Sequence, residues 1–248
     1  IAHAGCFGQY VGHVEMKLND RLSVDRIDCH VIPVADEPED KAAMEIIKTS
    51  AAAAKKQLSE EVAYLHQPLA HDWFREEVLG NLLADALRNW SGSEISMVNA
   101  GQLLTGLHAG IVNKADLHRI LPSPINPCRL DMTGEQIRRT LERSLDQDLQ
   151  RRAIKGFGFR GSVLGMMNIS GLQVQKKINP KNGQPELSIW VESRQAFLKD
   201  DDIYRVGSID MFTFGHIYPA FREAKRVEFF LPEFLRDVLA AELQNKKR

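Results

Sequence analysis

The sequence REEVLGNLLADALR, from Arg75 to Arg88, repeats apolar residues at a helical spacing. These residues are Val78, Leu79, Leu82, Leu83, Ala86 and Leu87. Because they fall on one face of a helix, the segment predicts an amphipathic α-helix. The segment Glu94-Ile-Ser-Met-Val98 follows and indicates a short buried strand. It leads into Asn99-Ala-Gly-Gln-Leu-Leu104, which places an amide side chain and backbone N–H groups at the carboxyl edge of a sheet, where ligands commonly bind.

A second helix is predicted from the sequence DMTGEQ, which begins at Asp131. The N-cap is either Asp131 or Thr133, and only Thr133 places Gln136 at the capping-box position. The stretch from Phe74 to Asp146 therefore predicts the order helix, strand, polar loop, strand and helix. The polar loop is the expected place for a binding site.

Composition limits the possible classes of protein. A chain of 248 residues can bury one large core, or one domain with an appendage. Its 32 basic and 33 acidic residues create no field that would attract nucleic acid, and no apolar run is long enough to span a membrane. The cysteines Cys6, Cys29 and Cys128 are widely spaced and include no CxxC motif, so they slightly favour a reducing, cytoplasmic compartment over an extracellular one. They do not determine the location.

Three regions are expected along the chain. Residues 1–36 contain two strand patterns, and because two strands rarely stand alone, they indicate the terminal β segment of a preceding domain. Residues 37–67 predict a connecting helix, from Glu39 to about Gln57, and a strand at Glu61–Leu65. Residues 68–248 form the main domain. The chain begins with Ile1 instead of Met, so we expect it to be a fragment of a longer protein. No signal peptide is visible in it, which says little about export of the longer protein.

The C-terminal half is rich in strand patterns. Ser170–Ile178 and Leu187–Val191 flank an Asn-Gly turn signal and predict a hairpin. A strand is expected at Tyr204–Ile209, another at Val227–Phe230, and a last helix from Pro232 to about Leu243. Because helices and strands do not alternate strictly, we predict an α+β fold, in which helices flank a mixed β-sheet and a short β segment precedes it.

No catalytic centre or metal site is recognisable in these residues. The eight histidines are scattered without metal-ligand spacing, and no nucleophile elbow is present. Gly156, Gly158 and Gly161 match a dinucleotide-binding pattern, but no clear strand precedes them. These glycines either bring Phe157, Phe159 and Arg160 close to a ligand or form a tight turn beside two core phenylalanines. His216 follows a strand, between a glycine and aromatic residues, and is a candidate ligand contact.

Several motifs resemble, in order and spacing, the C-terminal domain of bacterial 5′-nucleotidases. They extend over residues 68–222 and are Glu77–Asp85, Val98–Gly101, Gly110–Leu117, Met132–Gly134 and Tyr204–Val206. Ala4–Gly12 is similar to the closing strand of the family's N-terminal metallophosphoesterase domain. In that family the N-terminal domain holds a two-metal phosphatase centre, and the C-terminal domain binds the nucleoside.

The resemblance implies a hydrolase of phosphate esters, similar to 5′-nucleotidases and 2′,3′-cyclic-nucleotide phosphodiesterases. Its ligand would be a nucleotide or a related phosphorylated small molecule. Two divalent metal ions are expected in the missing N-terminal catalytic domain, which would be this chain's partner. The chain alone is expected to be inactive.

Five family contacts are altered. At the position of the family's loop arginine this chain has Leu104, and at the positions of the two stacking phenylalanines it has Ser123 and Asp210. Ile125 stands where the family has an asparagine, and Phe214–Ile217 replaces the family's Gly-Gly-Asp-Gly loop. We therefore expect a remodelled cleft, formed by residues 99–102, 122–126, 156–161 and 212–218. Its expected substrate contacts are Asn99, Gly101, Arg119, Asn126, Phe157, Phe159, Arg160, Phe214, His216 and Tyr218.

Two alternatives remain open at this point. A degenerate pocket would make the domain a non-catalytic nucleotide-binding or interaction module. A purely structural domain would only pack against its neighbour.

Overall fold

The structure is a computed structural model that describes residues 3–5, 7–35, 38–156, 158–178 and 185–245. Its internal contacts divide the chain into two units, Ile1–Lys55 and Lys56–Arg248. The division falls within the segment that the sequence predicts as a connection between domains.

The first unit contains a two-stranded antiparallel hairpin. Strand β1 (Tyr10–Leu18) pairs with β2 (Val24–Pro33), and every residue of β1 is exposed. Helix α1 (Lys41–Leu58) follows, crosses the division and has no buried residue. The two predicted strands and the predicted helix are confirmed.

A mixed five-stranded sheet is the centre of the second unit. Its strand order is β12 (Val227–Phe229), β6 (Pro127–Thr133), β11 (Ile203–Ile209), β4 (Ile95–Asn99) and β7 (Met167–Ser170). Strands β11 and β4 are parallel, and the other neighbours are antiparallel. The predicted α+β class with a mixed sheet is confirmed.

Two smaller sheets accompany the central one. Strand β3 (Glu61–Leu65) pairs with β5 (Gly110–Asn113), and β8 (Leu172–Ile178) pairs with β9 (Pro185–Val191), which also pairs with β10 (Ala196–Phe197). The pairing of β8 with β9 confirms the predicted hairpin. Its Asn-Gly turn lies outside the described residues.

Seven helices of the described part flank these sheets. They are α2 (Val78–Ser91), α3 (Lys114–Ile120), α4 (Gly134–Ser144), α5 (Gln147–Arg151), α6 (Asp210–Thr213), α7 (Pro219–Arg222) and α8 (Leu235–Asn245). Helix α2 packs against β4, β7, β11 and α8. Its predicted apolar face is buried except at its first residue, Val78, which is exposed. Within the described residues, no helix is long and apolar enough to cross a membrane.

The N-cap of α4 is Thr133, the alternative that places Gln136 in a capping box. Asp131 lies earlier in β6. Two local predictions are corrected. The expected polar loop contains a further strand and helix, because Asn113 caps α3 through its own capping box with Asp116. The last helix begins at Leu235 rather than at Pro232.

Candidate functional site

Four connecting segments meet at one edge of the central sheet. Strands β4 and β11 are parallel, so both end at this edge. Ile209 pairs with Pro127 and Asn99 pairs with Met167, so β6 and β7 begin there. We call residues 99–102, 122–126, 156–166 and 210–218 the loop edge, excluding Phe157, which lies outside the described residues. It brings together the four segments that the sequence assigned to a cleft.

Asn99 and Gln102 are fully buried beneath the loop edge. The Nδ2 atom of Asn99 donates to the carbonyl of Leu164 at 2.6 Å, and its Oδ1 accepts from Nε2 of Gln102 at 3.0 Å. A buried amide needs such partners, since an unsatisfied polar group is costly. In the free chain, therefore, the Asn99 side chain holds the 163–166 loop against the end of β4.

Gly101 allows the same loop to approach closely. A Cβ atom on Gly101 would lie 2.0 Å from the carbonyl oxygen of Val163 and 2.5 Å from that of Leu164. Gly101 N–H donates to the Leu164 carbonyl at 2.9 Å. Gly161 faces a similar restriction, because its Cβ would lie 2.2 Å from the carbonyl oxygen of Gly101. Glycine is thus required for contact between two backbones.

Ser123 connects the 122–126 segment to the glycine-rich loop. It is 3% exposed, and its Oγ accepts a hydrogen bond from the backbone N–H of Arg160 at 3.0 Å. Gly158 packs against Pro124, since an added Cβ would lie 2.9 Å from the proline ring. The Arg160 side chain is exposed at this position. The buried serine therefore fixes the backbone of a cationic residue.

Asn126 and Asp210 lie next to each other at the same edge. Asn126 Nδ2 donates to the carbonyl of Glu233 at 2.7 Å, and the Asn126 carbonyl accepts from the N–H of Asp210 at 3.0 Å. The Asp210 carboxylate accepts from the N–H of Met211 at 2.6 Å. Burial raises the pKa of Asp210, and the amides of Asn126 and Met211 act in the opposite direction.

The aromatic residues of the loop edge differ in exposure. Phe159, Phe212 and Tyr218 are 6%, 0% and 1% exposed, and Phe212 and Tyr218 are in edge-to-face contact at 4.9 Å between ring centroids. Phe214 is 50% exposed. Because a ring must offer a face to stack with a base, only the exposed part of Phe214 is accessible to a ligand, whereas the three buried rings belong to the core.

The remaining predicted contacts lie in different surroundings. His216 is exposed and follows Gly215 in the loop after β11. Arg119 lies on α3, where its guanidinium pairs with the Asp116 carboxylate at 3.2 Å. Among the described predicted residues, the exposed ones at the loop edge are Arg160, Phe214 and His216.

A further segment at this edge was not predicted from the sequence. Trp73 Nε1 donates to the carbonyl of Leu103 at 2.8 Å, and the Trp73 carbonyl accepts from Met166 N–H at 2.7 Å. Burial lowers the pKa of the neighbouring His71, although the negative charge of Asp72 acts to raise it. Trp73 lies just before the helical pattern of α2, where no periodicity identifies it. The contacts of Ser123 and Asp210 were also not predicted, because their partners Arg160 and Asn126 lie far from them in the sequence.

The described residues contain no group of three or more His, Cys, Asp or Glu side chains that could hold a metal ion. The loop edge instead offers a cation, an exposed ring, a histidine and a carboxylate. Such a set can bind an anionic ligand that carries a ring and hydrogen-bond donors.

Comparison with known proteins places this geometry in a family. The family model of the 5′-nucleotidase C-terminal domain matches residues 53–223. Over 98% of its length the chain is 37% identical to an uncharacterized metallophosphoesterase, YunD, of Bacillus subtilis (strain 168), and it spans 53% of that relative. It is 24% identical to the trifunctional nucleotide phosphoesterase protein YfkN of the same organism, over 92% of this chain and 16% of the relative.

Among solved structures, the 5′-nucleotidase precursor from Thermus thermophilus has the same fold. The TM-score is 0.64 at 18% identity, over 97% of this chain and 48% of that chain. The family model covers more than half of the 248 residues. The chain belongs to the family of 5′-nucleotidase C-terminal domains.

Proposed function

We propose that this chain is the substrate-recognition part of a metal-dependent phosphoesterase that hydrolyses phosphate esters of nucleotides or related compounds. The observation that carries the proposal is the loop edge, where four segments converge at the ends of two parallel strands. Ligands of open α/β sheets bind at such strand ends. The nucleotide phosphoesterase activity named for one relative supports the same substrate class.

Within this proposal the exposed side chains have separate tasks. Arg160 attracts the phosphate, and its backbone is held by the buried hydroxyl of Ser123. Phe214 offers a half-exposed ring to the base. His216 lies two residues further along the same loop. Together these residues bind and orient a substrate without performing the chemistry.

The chemistry is assigned to a preceding catalytic domain. Two divalent metal ions bound there would activate water and stabilise the leaving oxygen. The described residues of this chain do not fit such a metal pair, since they contain no suitable ligand cluster. Residues 1–36 would be the terminal β segment of that domain and residues 37–67 the connection. The exposed apolar side chains of the hairpin support this assignment, as does the 53% share of the metallophosphoesterase that the chain spans.

A non-catalytic binding module is the second candidate. It is favoured by Leu104 at the position of the family arginine and by the complete burial of Asn99. Both candidates bind a nucleotide at the loop edge, and they differ in whether the bound nucleotide is then hydrolysed. Phosphate release by the longer protein in the presence of Mn²⁺ separates them.

Calorimetric titration of this chain with adenosine 5′-monophosphate tests the binding step. We expect Arg160→Ala and Phe214→Ala each to weaken binding by about tenfold, since each removes a contact of about 1–3 kcal/mol. The matched controls are Arg205→Ala and Phe197→Ala. Arg205 is an exposed residue near the start of β11, and Phe197 is 57% exposed on β10. Equal losses in the controls, or none at the loop edge, would reject this assignment.

A further inference from the structure

Asp210 is a carboxylate of the loop edge to which no role has been assigned. It is half-buried at the first position of α6, directly after the end of β11. Its backbone N–H donates a hydrogen bond to the carbonyl of Asn126, and its carboxylate accepts one from the N–H of Met211. These contacts fix its position between the 122–126 segment and the loop after β11.

No described Lys, Arg or His side chain forms an ion pair with Asp210. Other carboxylates of the second unit are paired: Asp200 contacts Arg138 at 3.0 Å, and Glu223 contacts Arg139. Burial raises the pKa of Asp210, whereas the pKa values of Asp72 and Glu94 are lowered. A half-buried carboxylate without a cation is costly unless hydrogen-bond donors face it. Two backbone amides leave acceptor positions on its oxygens for a further donor.

The separation of Asp210 from Arg160 is limited by the segment that both contact. Arg160 N–H binds the side chain of Ser123, and Asp210 N–H binds the carbonyl of Asn126. Ser123 and Asn126 are three residues apart, so their Cα atoms lie within about 11 Å of each other. A cation and a carboxylate thus flank one short segment. A phosphorylated ligand that spans this segment could contact both side chains.

We propose that Asp210 determines substrate specificity by accepting a hydrogen bond from a neutral donor group of the substrate. This proposal rests on the proposed function, because it needs a phosphorylated ligand at the loop edge. The donor is a ribose hydroxyl or an exocyclic amine of the base. A carboxylate at this position repels a second phosphate and favours monophosphates that carry such donors.

Three ligands test the inference by calorimetric titration of the full chain. They are adenosine 5′-monophosphate, its 2′-deoxy analogue and purine riboside 5′-monophosphate, which lacks the exocyclic amine. We expect the chain to bind one of the two analogues at least tenfold more weakly than the parent compound, since the bond to a charged acceptor is lost. The analogue that binds weakly identifies the donor.

The variant Asp210→Asn keeps the shape of the side chain and removes its charge. We expect it to fold, because it relieves a buried charge. Its preference for the parent compound over the sensitive analogue should fall from tenfold to about threefold, because the asparagine oxygen still accepts a hydrogen bond but a neutral acceptor binds more weakly than a carboxylate. Asp201→Asn is the matched control, since Asp201 is exposed in the turn before β11 and its loss changes net charge equally. The control should keep the tenfold preference.

The results separate this inference from the function on which it rests. If the parent compound binds but Asp210→Asn keeps the wild-type preference, the role of Asp210 is refuted and the proposed function stands. A loss of preference in Asp201→Asn as well would assign the effect to net charge and also refute it. If none of the three ligands binds, both proposals fail together.

Discussion

The hairpin of the first unit and the central sheet of the second contain similar apolar residues but bury them differently. Met16 in β1 is 63% exposed, whereas Met97 in β4 is fully buried. Every residue of β4 is buried, and none of β1 is. Apolar residues at a strand spacing therefore predict that a strand forms, but they do not predict that this strand is buried. The hairpin has the composition of a core strand pair without a described layer to cover it, which supports its assignment to a domain beyond this chain.

Truncation of one methionine in each strand should affect stability very differently. Met97→Ala should lower the free energy of unfolding by about 2–5 kcal/mol, because it leaves a cavity in the core. Met16→Ala should change it by less than about 0.5 kcal/mol, because the exposed side chain loses little burial. Urea denaturation of both variants measures the contrast. Similar losses would show that the hairpin face is covered in solution, by self-association for example.

Replacing one glycine in each unit by alanine should also change stability in different ways. Gly101→Ala should cost about 1–3 kcal/mol, because its Cβ meets two backbone carbonyls of the 163–166 loop. Gly12→Ala in β1 should be neutral or stabilise the chain by up to about 1 kcal/mol, since it meets only the side chain of Ala4 at 3.4 Å and stiffens the unfolded chain.

Thermal unfolding of both glycine variants provides the measurement. Faster hydrogen exchange at the amides of position 101 and Leu164 would show that Gly101→Ala disturbs the loop edge. An undisturbed loop edge in that variant would contradict the close approach that the structure shows.

Much of the fold is encoded in local patterns of the sequence. The apolar spacing of α2, the run Glu94–Val98 and the choice of Thr133 over Asp131 as a cap depend on nearby residues, so periodicity and capping chemistry predict them well. The convergence of the four cleft segments results from strand ends that share one sheet edge, as Asn99 and Ile209 do.

The details of the site depend on long-range contacts that the sequence does not encode locally. Ser123 contacts Arg160, which is 37 positions away, and Asn99 contacts Leu164, which is 65 positions away. The exposure of the aromatic rings is equally unpredictable, because Phe212 and Phe214 are two residues apart and only Phe214 is exposed. From the sequence alone, therefore, polar and aromatic residues that hold the loops together cannot be distinguished from those that are exposed to a ligand.

Two buried tyrosines of the second unit differ only in the hydrogen bonding of their hydroxyls. Tyr204 and Tyr218 are both 1% exposed, so burial alone predicts equal importance for their hydroxyls. The Tyr204 hydroxyl accepts from Lys199 N–H at 3.0 Å, whereas the Tyr218 hydroxyl has no hydrogen-bond partner among the described residues. Tyr204→Phe should lower the free energy of unfolding by about 0.5–1.5 kcal/mol, because it leaves the Lys199 amide unsatisfied.

Tyr218→Phe should be neutral or slightly stabilising, since it removes a hydroxyl that is buried without a partner among the described residues. The same conservative change at two equally buried tyrosines thus isolates the hydrogen bond from the packing of the ring. Urea denaturation measures the two changes in the free energy of unfolding, provided that the variants and the parent chain show the same dependence on urea concentration. If Tyr218→Phe costs as much as Tyr204→Phe, the Tyr218 hydroxyl has a partner in solution, and the cavity between α4 and α7 that Tyr218 lines is the place where a bound water or ion would lie.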